Sequence, residues 1–291
     1  MTSGDGSVAS GMSRARHDAP PPCVCRDASG ATPHPGRPVA TAQAGTGEMT
    51  VLTRGPYRAR CAAGPDDLVA AQRLRGRAFH GQDLPDRDAH DPLCEHMLIE
   101  DMRSGDLLCC FRFLPLASGA GIGRSYSAQY YNLSALESFA GPMIEMGRFC
   151  VEPGVTDPDI LRVAWGAMAA EVDARGVELL FGCASFAGTD AHVYSDAFAM
   201  LTARYLAPRR WLPRVKAPEV IRFAQRWRSM PDIRTAMLRM PPLLRTYLSM
   251  GGWVSDHAVV DAQMNTLHVF TGVEIAAIPP ARKKLLRAVA G

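Results

Sequence analysis

The sequence predicts a protein of the α/β or α+β class, in which strands and helices interleave along the chain. Three patterns support this prediction: an amphipathic helical segment near residue 70, a hairpin pattern after it, and a second helix that leads into a nearly all-apolar strand. Of the 291 residues, 47% are hydrophobic and 21% are charged, which is enough to bury a full core. Disorder throughout the chain is therefore excluded.

The N-terminal segment differs in composition from the rest. Gly, Ala, Ser, Pro and Thr dominate the first fifty residues, and no apolar residue recurs there with a helix or strand period. We predict a flexible tail over residues 1–55. It lacks the apolar core of a secretory signal, and nothing downstream approaches the ~18 apolar residues of a spanning helix. We therefore expect a cytoplasmic protein.

The first predicted helix covers residues 65–80. Leu68, Ala71 and Leu74 fall on one helical stripe, and two acidic residues at the start favour a helix N-terminus. This pattern indicates an amphipathic helix that packs on one face.

Short β-like runs follow the first helix. Residues 95–101 and 106–114 meet across a polar turn and predict a hairpin. Residues 115–134 are too irregular for a regular element, but their tyrosines suit the lining of a binding loop. The next predicted strand is 145–151.

A second helix and a buried strand come next. Asp157 and Pro158 predict the start of a helix that runs to Gly176, its expected C-cap. Residues 177–183 are nearly all apolar, which is typical of a strand buried on both faces. A further helix is predicted at 190–205.

Two charged residues give the strand 145–151 its chemical interest. Period two places Glu145 and Arg148 on opposite faces of a regular strand. Glu145 suits a general base that takes a proton from an attacking amine, and Arg148 suits the binding of a carboxylate or phosphate. An exposed strand edge with ordinary surface charges fits the same pattern equally well.

An acid-rich loop precedes the hairpin. Asp88 and Asp91 suit the binding of a cationic amine, although helix capping and loop hydrogen bonds explain them as well. Neither carboxylates nor histidines nearby complete a recognisable ligand set, so no metal is expected.

The eight cysteines indicate neither disulfides nor zinc, because no Cys-x-x-Cys spacing occurs. Cys150, Cys183 and Ser185 are conceivable nucleophiles with His192 or His96 as the base, but buried packing is the favoured interpretation.

Charge is unevenly distributed along the chain. Residues 201–291 hold 15 Lys and Arg against 5 Asp and Glu, whereas the other 200 residues hold 17 against 24. A basic C-terminal third indicates an acidic partner such as nucleic acid, an anionic membrane or an acidic carrier protein. A solvated basic face is the simpler alternative. Nucleotide binding is disfavoured, because the turn at 152–159 carries carboxylates where a pyrophosphate would need bare amides.

Several of these segments together resemble the ornithine-acyl carrier protein N-acyltransferases that begin ornithine-lipid synthesis, a branch of the Gcn5-related acyltransferase fold. The resemblance runs from about Tyr57 to about Val273, and its most specific segments are Leu74 to Phe79, Asp88 to His96, Glu145 to Val151, Phe181 to Asp190 and residues 241–248. A weaker similarity links the chain to the acyl-homoserine-lactone synthases. Those enzymes carry a tryptophan where this chain has Gly81-Gln82-Asp83, which disfavours lactone synthesis.

The resemblance implies a Gcn5-related fold: a mixed, mostly antiparallel sheet flanked by helices and splayed at its middle, where an acyl-phosphopantetheine arm enters. The acyltransferase core is expected at 56–225, with a helical, basic C-terminal extension at 226–291 packed on it. The expected reaction transfers a (3-hydroxy)fatty acyl group from acyl carrier protein to the α-amine of ornithine, with no bound cofactor and no nucleic acid partner.

Four alternatives stay open at this point. The first two are a lactone-synthase-like enzyme and an N-acyltransferase for lysine, glutamine or glycine. The others are an acetyltransferase that uses coenzyme A and a non-enzymatic module that binds carrier protein or membrane.

The resemblance also implies roles for individual residues. Glu145 and Arg148 are expected to be catalytic. Residues expected to bind substrate are Arg75, Phe79, Asp88, Asp91, Arg112, Ser185 and Phe186. Residues expected to bind the carrier protein are Arg204, Arg209, Arg210, Arg214 and Lys216. Segment 234–250 mixes arginine with Leu, Met and Tyr, which suits peripheral binding to an anionic inner membrane or, equally, a packed core extension.

Overall fold

The computed structural model describes residues 52–290. Residues 1–51 of the predicted tail therefore lie outside the described residues. The end of the predicted tail is described, and there Leu52–Arg54 forms a strand that pairs with Tyr57–Cys61. The tail prediction is wrong for this short stretch.

Eleven strands and eight α-helices make up the described chain. The strands are β1 Leu52–Arg54, β2 Tyr57–Cys61, β3 Glu95–Asp101, β4 Leu107–Leu116, β5 Tyr131–Asn132, β6 Met143–Val151, β7 Leu179–Ala187, β8 Arg214–Val215, β9 Val220–Ile221, β10 Trp253–Asp261 and β11 Thr266–Glu274. The helices are α1 Pro65–His80, α2 Ser127–Tyr130, α3 Pro158–Ala174, α4 Ser195–Arg204, α5 Phe223–Arg226, α6 Ile233–Arg239, α7 Pro242–Ser249 and α8 Pro280–Ala290.

Nine of the strands form one sheet in the order β1-β2-β3-β4-β6-β7-β11-β10-β9, and β5 pairs with β8 separately. Every neighbouring pair is antiparallel except β6 and β7, which are parallel. The predicted hairpin is β3–β4. The expectation of a mixed, mostly antiparallel sheet flanked by helices is confirmed.

Helix α1 has the predicted bounds for identifiable reasons. Pro65 starts it with a preset φ, and Gly81 ends it in the left-handed region at φ 66°. The buried side of the helix, Ala71 and Leu74, packs against Leu98 of the sheet. This packing places the loop after α1 beside the middle of the sheet.

Helix α3 connects β6 to β7, and such a crossover allows the two strands to pair in parallel. Its cap is Asp157, which accepts the N–H of Asp159 at 2.9 Å. Ile160, Val163 and Ala167 of this helix are buried in the core.

The segment 226–291 is not the helical extension that we predicted. Strand β11 pairs with β7 along its whole length, from Thr266 opposite Ala187 to Glu274 opposite Leu179. The core sheet therefore continues to residue 274, and only α6, α7 and α8 agree with the helical prediction. Among residues 52–290, no helix is long and apolar enough to cross a bilayer.

Candidate active site

A β-bulge interrupts β6 in the segment that carries the two charges of interest. Cys110 of β4 pairs with Cys150 and Arg112 pairs with Gly147, so two residues of β6 lie opposite one residue of β4. Arg148 lies in the bulge with φ 53°, a backbone conformation that residues other than glycine rarely adopt. The bulge breaks the period of two. The prediction that Glu145 and Arg148 are separated on opposite faces is wrong, since both line one cavity.

The cavity lies where β6 and β7 stop pairing. Their parallel ladder runs from Met143 opposite Leu179 to Met146 opposite Gly182 and then ends, although both strands continue. Gly182 allows the close approach at the last pair, because a Cβ there would overlap the carbonyl oxygen of Met146. The splay that the resemblance implied is therefore present.

The cavity at this splay has a volume of about 330 Å³. Strand β6 contributes Glu145 to Phe149, and β7 contributes Cys183 to Ser185. The remaining lining residues are Phe79, Cys94, Arg112, Tyr126, Pro241, Pro242, Leu243, Asp261, Met264, Thr266 and His268. A mostly apolar cavity with a few polar groups is typical of a small-molecule site.

Glu145 is 5% exposed and holds the turn before α2 in place. Its Oε2 accepts the N–H of Tyr126 at 2.7 Å, while its Oε1 accepts the N–H of Ser127 at 2.7 Å and the Ser127 hydroxyl at 2.6 Å. Burial raises the pKa of Glu145, and the hydrogen bonds from Ser127 and Tyr126 oppose that shift. Glu145 therefore positions Tyr126 on the cavity wall.

Cys183 is linked to the same carboxylate through Ser127. The Cys183 Sγ lies 3.4 Å from the Ser127 Oγ. Because the serine hydroxyl donates to Glu145, the thiol is the donor to Ser127. Burial raises the pKa of Cys183 to about 12, so it remains a thiol near neutral pH and is a poor nucleophile.

Beside the cavity, under α1, lies an ion network of three arginines and three aspartates. Its members are Arg75, Arg112, Arg148, Asp86, Asp88 and Asp91. Arg75 contacts Asp91 through two nitrogens, at 2.8 and 2.9 Å, and Arg112 contacts the same carboxylate at 2.6 Å. Burial alone would raise the pKa of Asp91, but the guanidiniums of Arg75 and Arg112 outweigh it and hold the pKa at about 2.

Arg148 joins the ion network to the cavity. Its Nη2 contacts Asp88 at 2.9 Å, and its guanidinium lies 5.5 Å from the ring centroid of Tyr126. Among the described residues, the Nη1 has only a weak contact, to the Met264 sulfur at 3.7 Å. This nitrogen is the part of Arg148 that is available to a ligand.

Only some of the predicted substrate-binding residues line the cavity. Phe79, Arg112 and Ser185 line the cavity. Arg75 and Asp91 are buried in the ion network, at 1% and 3% exposure, and do not line it. Asp88 bridges Arg112 and Arg148 beside the cavity.

Phe186 is on the other side of the sheet from the cavity-lining Ser185. It is buried at 1% exposure and packs against Tyr194 and Phe198. It does not line the cavity.

Strands β10 and β11 form a part of the wall that the sequence patterns did not predict. Asp261, Met264, Thr266 and His268 come from this hairpin, which falls in the segment expected to form a helical C-terminal extension packed on the core. The available signal was the alternation of Thr266 and His268 with apolar residues in β11. Burial lowers the pKa of His268 to about 4, so its imidazole is neutral near pH 7. Its Nε2 has no hydrogen-bond partner among residues 52–290.

The residues predicted to bind a carrier protein are all exposed. Two of them lie next to the tyrosine-bearing turn of the cavity. Arg214 pairs with Asn132 across β8 and β5, and the Lys216 Nζ donates to the carbonyl of Ala128 in α2 at 2.6 Å. Arg210 instead pairs with Glu274 at 3.2 Å.

Comparisons with known proteins agree with this geometry. Residues 70–166 match the acetyltransferase (GNAT) domain family, a segment that includes most of α1, the ion network and the bulged strand. The L-ornithine N(alpha)-acyltransferase of Rhodobacter capsulatus is 31% identical over 229 residues, which cover 73% of this chain and 88% of the relative. This chain belongs to the L-ornithine N(alpha)-acyltransferase family.

Membership makes the chain an acyltransferase, with the Gcn5-related fold that we expected. The relative of the same name from Brucella abortus is 25% identical over 254 residues, covering 78% of this chain and 88% of the relative. Among solved structures, an N-acyl amino acid synthase from uncultured soil microbes is 10% identical with a TM-score of 0.45, covering 76% of this chain and 92% of that one.

Metal-binding side chains do not converge in the described part of the chain. No group of three or more His, Cys, Asp or Glu between residues 52 and 290 is arranged to hold a metal ion.

Proposed function

We propose that this enzyme transfers a fatty acyl group, with or without a 3-hydroxyl, from acyl carrier protein to the α-amine of L-ornithine. The product is an N-acylornithine, a single-chain lipid. The observation that carries the proposal is the cavity at the β6–β7 splay, which brings a buried carboxylate and an arginine nitrogen without a strong partner onto one wall. The ornithine acceptor is supported by the family to which the chain belongs.

The proposed chemistry is direct transfer without an acyl-enzyme. The neutral α-amine attacks the thioester carbonyl, so that a C–N bond forms, the C–S bond breaks and the pantetheine thiol leaves with a proton. The β6 bulge has one residue more than its partner strand, and a backbone N–H released from the ladder there is a suitable donor to the oxyanion. The protonated state of Cys183 supports this route over a covalent intermediate.

Glu145 is the proposed acceptor of the amine proton, directly or through a water. A carboxylate has about four lone-pair sites, and Glu145 uses three of them for Tyr126 and Ser127. The remaining site and the raised pKa suit proton acceptance at the cavity wall.

Arg148 is the proposed partner of the acceptor's α-carboxylate. Its Nη1 is open to the cavity apart from the Met264 contact, while Asp88 fixes the other side of the guanidinium. Asp88 and Asp91 bind arginines already, so in this proposal they orient Arg112 and Arg148 and do not contact the ammonium of the substrate.

Acyl carrier protein is the proposed donor, and the start of α3 supports it over coenzyme A. The carboxylate of Asp157 already accepts the first-turn N–H of Asp159 and the hydroxyl of Tyr57. A pyrophosphate at this helix start would meet negative charge where it needs bare amides. Carrier proteins are acidic, and the exposed Arg214 and Lys216 flank the cavity turn.

One assay tests donor and acceptor together. Purified enzyme is given 3-hydroxyacyl carrier protein or the matching acyl-coenzyme A, with a panel of amino acids and S-adenosylmethionine, and products are identified by mass spectrometry. We expect N-acylornithine with the carrier-protein donor. A lactone from S-adenosylmethionine, preferential use of acyl-coenzyme A or absence of thiol release would each overturn the proposal.

Charge-reversed variants extend the assay to the carrier-protein surface. Arg214→Glu with Lys216→Glu should raise the KM for acyl carrier protein about tenfold or more at low salt and leave turnover of acyl-pantetheine unchanged. The control is Lys284→Glu on α8, which lines no part of the cavity. Equal effects on both donors would argue against this surface.

Peripheral membrane binding is a second proposed property. The predicted segment was 234–250, but the strongly exposed apolar residues lie in α6 and just before that helix. Met230 and Leu238 are 92% and 80% exposed and lie among exposed arginines such as Arg234. The chain then runs directly into Pro241–Leu243, which line the cavity. Flotation with anionic vesicles should be lost in Met230→Ser with Leu238→Ser, and equal binding to neutral vesicles would contradict this idea.

A further inference from the structure

The last residue of β10, Asp261, is a carboxylate on the cavity wall that lacks a cation. It is only 8% exposed. Its Oδ1 accepts the N–H groups of Gln263 and Met264, at 3.1 and 3.0 Å, and these bonds fix its orientation at the β10–β11 turn. Its Oδ2 has neither a hydrogen bond nor an ion pair with any residue from 52 to 290.

The other carboxylates near the cavity already have partners or an assigned role. Asp88 and Asp91 each contact two arginines, and Glu145 accepts three hydrogen bonds from the turn before α2, which leaves it one site, assigned above to the amine proton. A buried carboxylate without a cation or a full set of donors is unfavourable, because burial removes the water that stabilises its charge. Asp261 is therefore the cavity carboxylate, within the described residues, that has one oxygen entirely free for a cation.

Asp261 and Arg148 are close to each other on the wall without being paired. Met264 lies between them: its N–H donates to Asp261, and its sulfur lies 3.7 Å from the Arg148 Nη1. The two opposite charges are nevertheless not within ion-pair distance of each other. A ligand with one anionic and one cationic end can therefore contact both.

We propose that Asp261 binds the side-chain ammonium of the acceptor and thereby selects a diamino acid over a neutral amino acid. The α-carboxylate lies at Arg148, the terminal ammonium lies at the Oδ2 of Asp261, and the α-amine is left free to attack. This inference rests on the proposed function, and it assigns the acceptor's side chain to the β10–β11 turn and not to the acidic loop after α1.

The test compares two acceptors in the Asp261→Asn variant. L-ornithine and L-norvaline share a five-carbon skeleton, but only ornithine has the second ammonium. Asparagine retains the oxygen that accepts both backbone N–H groups and removes the charge. We expect kcat/KM for ornithine to fall about 10- to 100-fold, mostly through KM, as for a lost charge-assisted hydrogen bond, while kcat/KM for norvaline stays the same. Asp106→Asn, an exposed loop carboxylate outside the cavity, is the matched control.

Two further measurements separate a binding role from a structural one. At one fixed concentration, L-ornithine alone should raise the Tm of the wild-type enzyme and of Asp106→Asn equally, and that of Asp261→Asn by clearly less. Asp261→Glu extends the carboxylate by a methylene into the cavity, so preference should move from ornithine toward the shorter 2,4-diaminobutyrate. A merely structural aspartate would not produce this change in selectivity.

The outcomes distinguish the inference from the proposed function. If folded Asp261→Asn keeps the wild-type preference for ornithine over norvaline, the inference is overturned and the function stands. If the wild-type enzyme does not acylate ornithine at all, the proposed function fails first. If circular dichroism shows Asp261→Asn unfolded, the acceptor preference of Asp261→Glu decides the matter.

Discussion

Two neighbouring sets of carboxylates in this protein differ in what surrounds them. Asp88 and Asp91 are in the ion network under α1, where arginines neutralise them and the pKa of Asp91 is held at about 2. Glu145 and Asp261 line the cavity and have no ion pair with any described cation, and burial raises the pKa of Glu145. The difference suggests that the ion network builds the site and that the cavity carboxylates act in it.

The largest effect should follow from removing Asp91. Asp91→Ala leaves Arg75 and Arg112 buried with one partner fewer, and breaking a buried ion pair in this way costs about 3–5 kcal/mol of the free energy of unfolding. Denaturant unfolding measures it. Asp83→Ala is the control, because Asp83 is 55% exposed and pairs with arginines at the surface, where such pairs contribute about 0–1 kcal/mol.

The stabilisation by Asp91 should also depend on pH. Its pKa is lowered in the folded state, so the unfolded chain takes up a proton first as pH falls. The contribution is complete above the ordinary aspartate pKa of about 4 and disappears as pH falls through about 2. The difference in stability between wild type and Asp91→Ala should shrink over this range. A constant difference would mean that the network does not depend on the charge of Asp91.

An intermediate effect is expected for Glu145→Gln. Removing the proton acceptor should lower kcat on the order of 10²-fold without abolishing turnover, because an α-amine with a pKa of about 8 is partly neutral already. The part of the acid limb that Glu145 contributes to the pH–rate profile should also be lost, leaving only the fall caused by protonation of the amine. Glu145 accepts a proton only when ionised, and its raised pKa moves its part of the limb to higher pH than for a surface glutamate.

His268→Asn is the matched comparison for Glu145→Gln. His268 lines the same cavity, is neutral near pH 7 and has an Nε2 without a partner in the described chain. Suppose that kcat falls in His268→Asn, while Glu145→Gln keeps both the wild-type kcat and the wild-type acid limb of the pH–rate profile. The histidine is then the proton acceptor, and Glu145 only positions Tyr126.

Much of the fold follows from local pattern, and the site follows less completely. The bounds of α1 could be predicted because Pro65 and Gly81 mark both ends of one amphipathic stripe. The bulge at Arg148 could not, since nothing in Glu-Met-Gly-Arg-Phe-Cys-Val shows that φ turns positive at a residue with a side chain. That single residue brings Glu145 and Arg148 to the same cavity.

The sequence did not predict the side of the cavity formed by β10 and β11, for a different reason. Asp261 and His268 reach the cavity through the pairing of β11 with β7, two strands nearly eighty residues apart in sequence. Long-range pairing of this kind has no local signature, because strand periodicity gives the face of a residue but not the neighbouring strand. The motif segments therefore singled out five of the six residues of the ion network, though as catalytic or substrate-binding residues, and gave no hint of Asp261.

The smallest effect should follow from Cys183→Ala, although this residue also lines the cavity. Burial holds the pKa of its thiol at about 12, and its hydrogen bond goes to Ser127, whose own hydroxyl already donates to Glu145. A thiol in this state does not attack a thioester, so kcat should change by about threefold or less, corresponding to about 0.7 kcal/mol in the barrier. Steady-state kinetics measure the change, and intact-mass spectrometry of enzyme mixed with acyl donor alone should find no acyl adduct. An adduct that is present in wild type and absent in Cys183→Ala would replace direct transfer with a covalent route. Glu145 would then accept the proton of the thiol and not that of the amine.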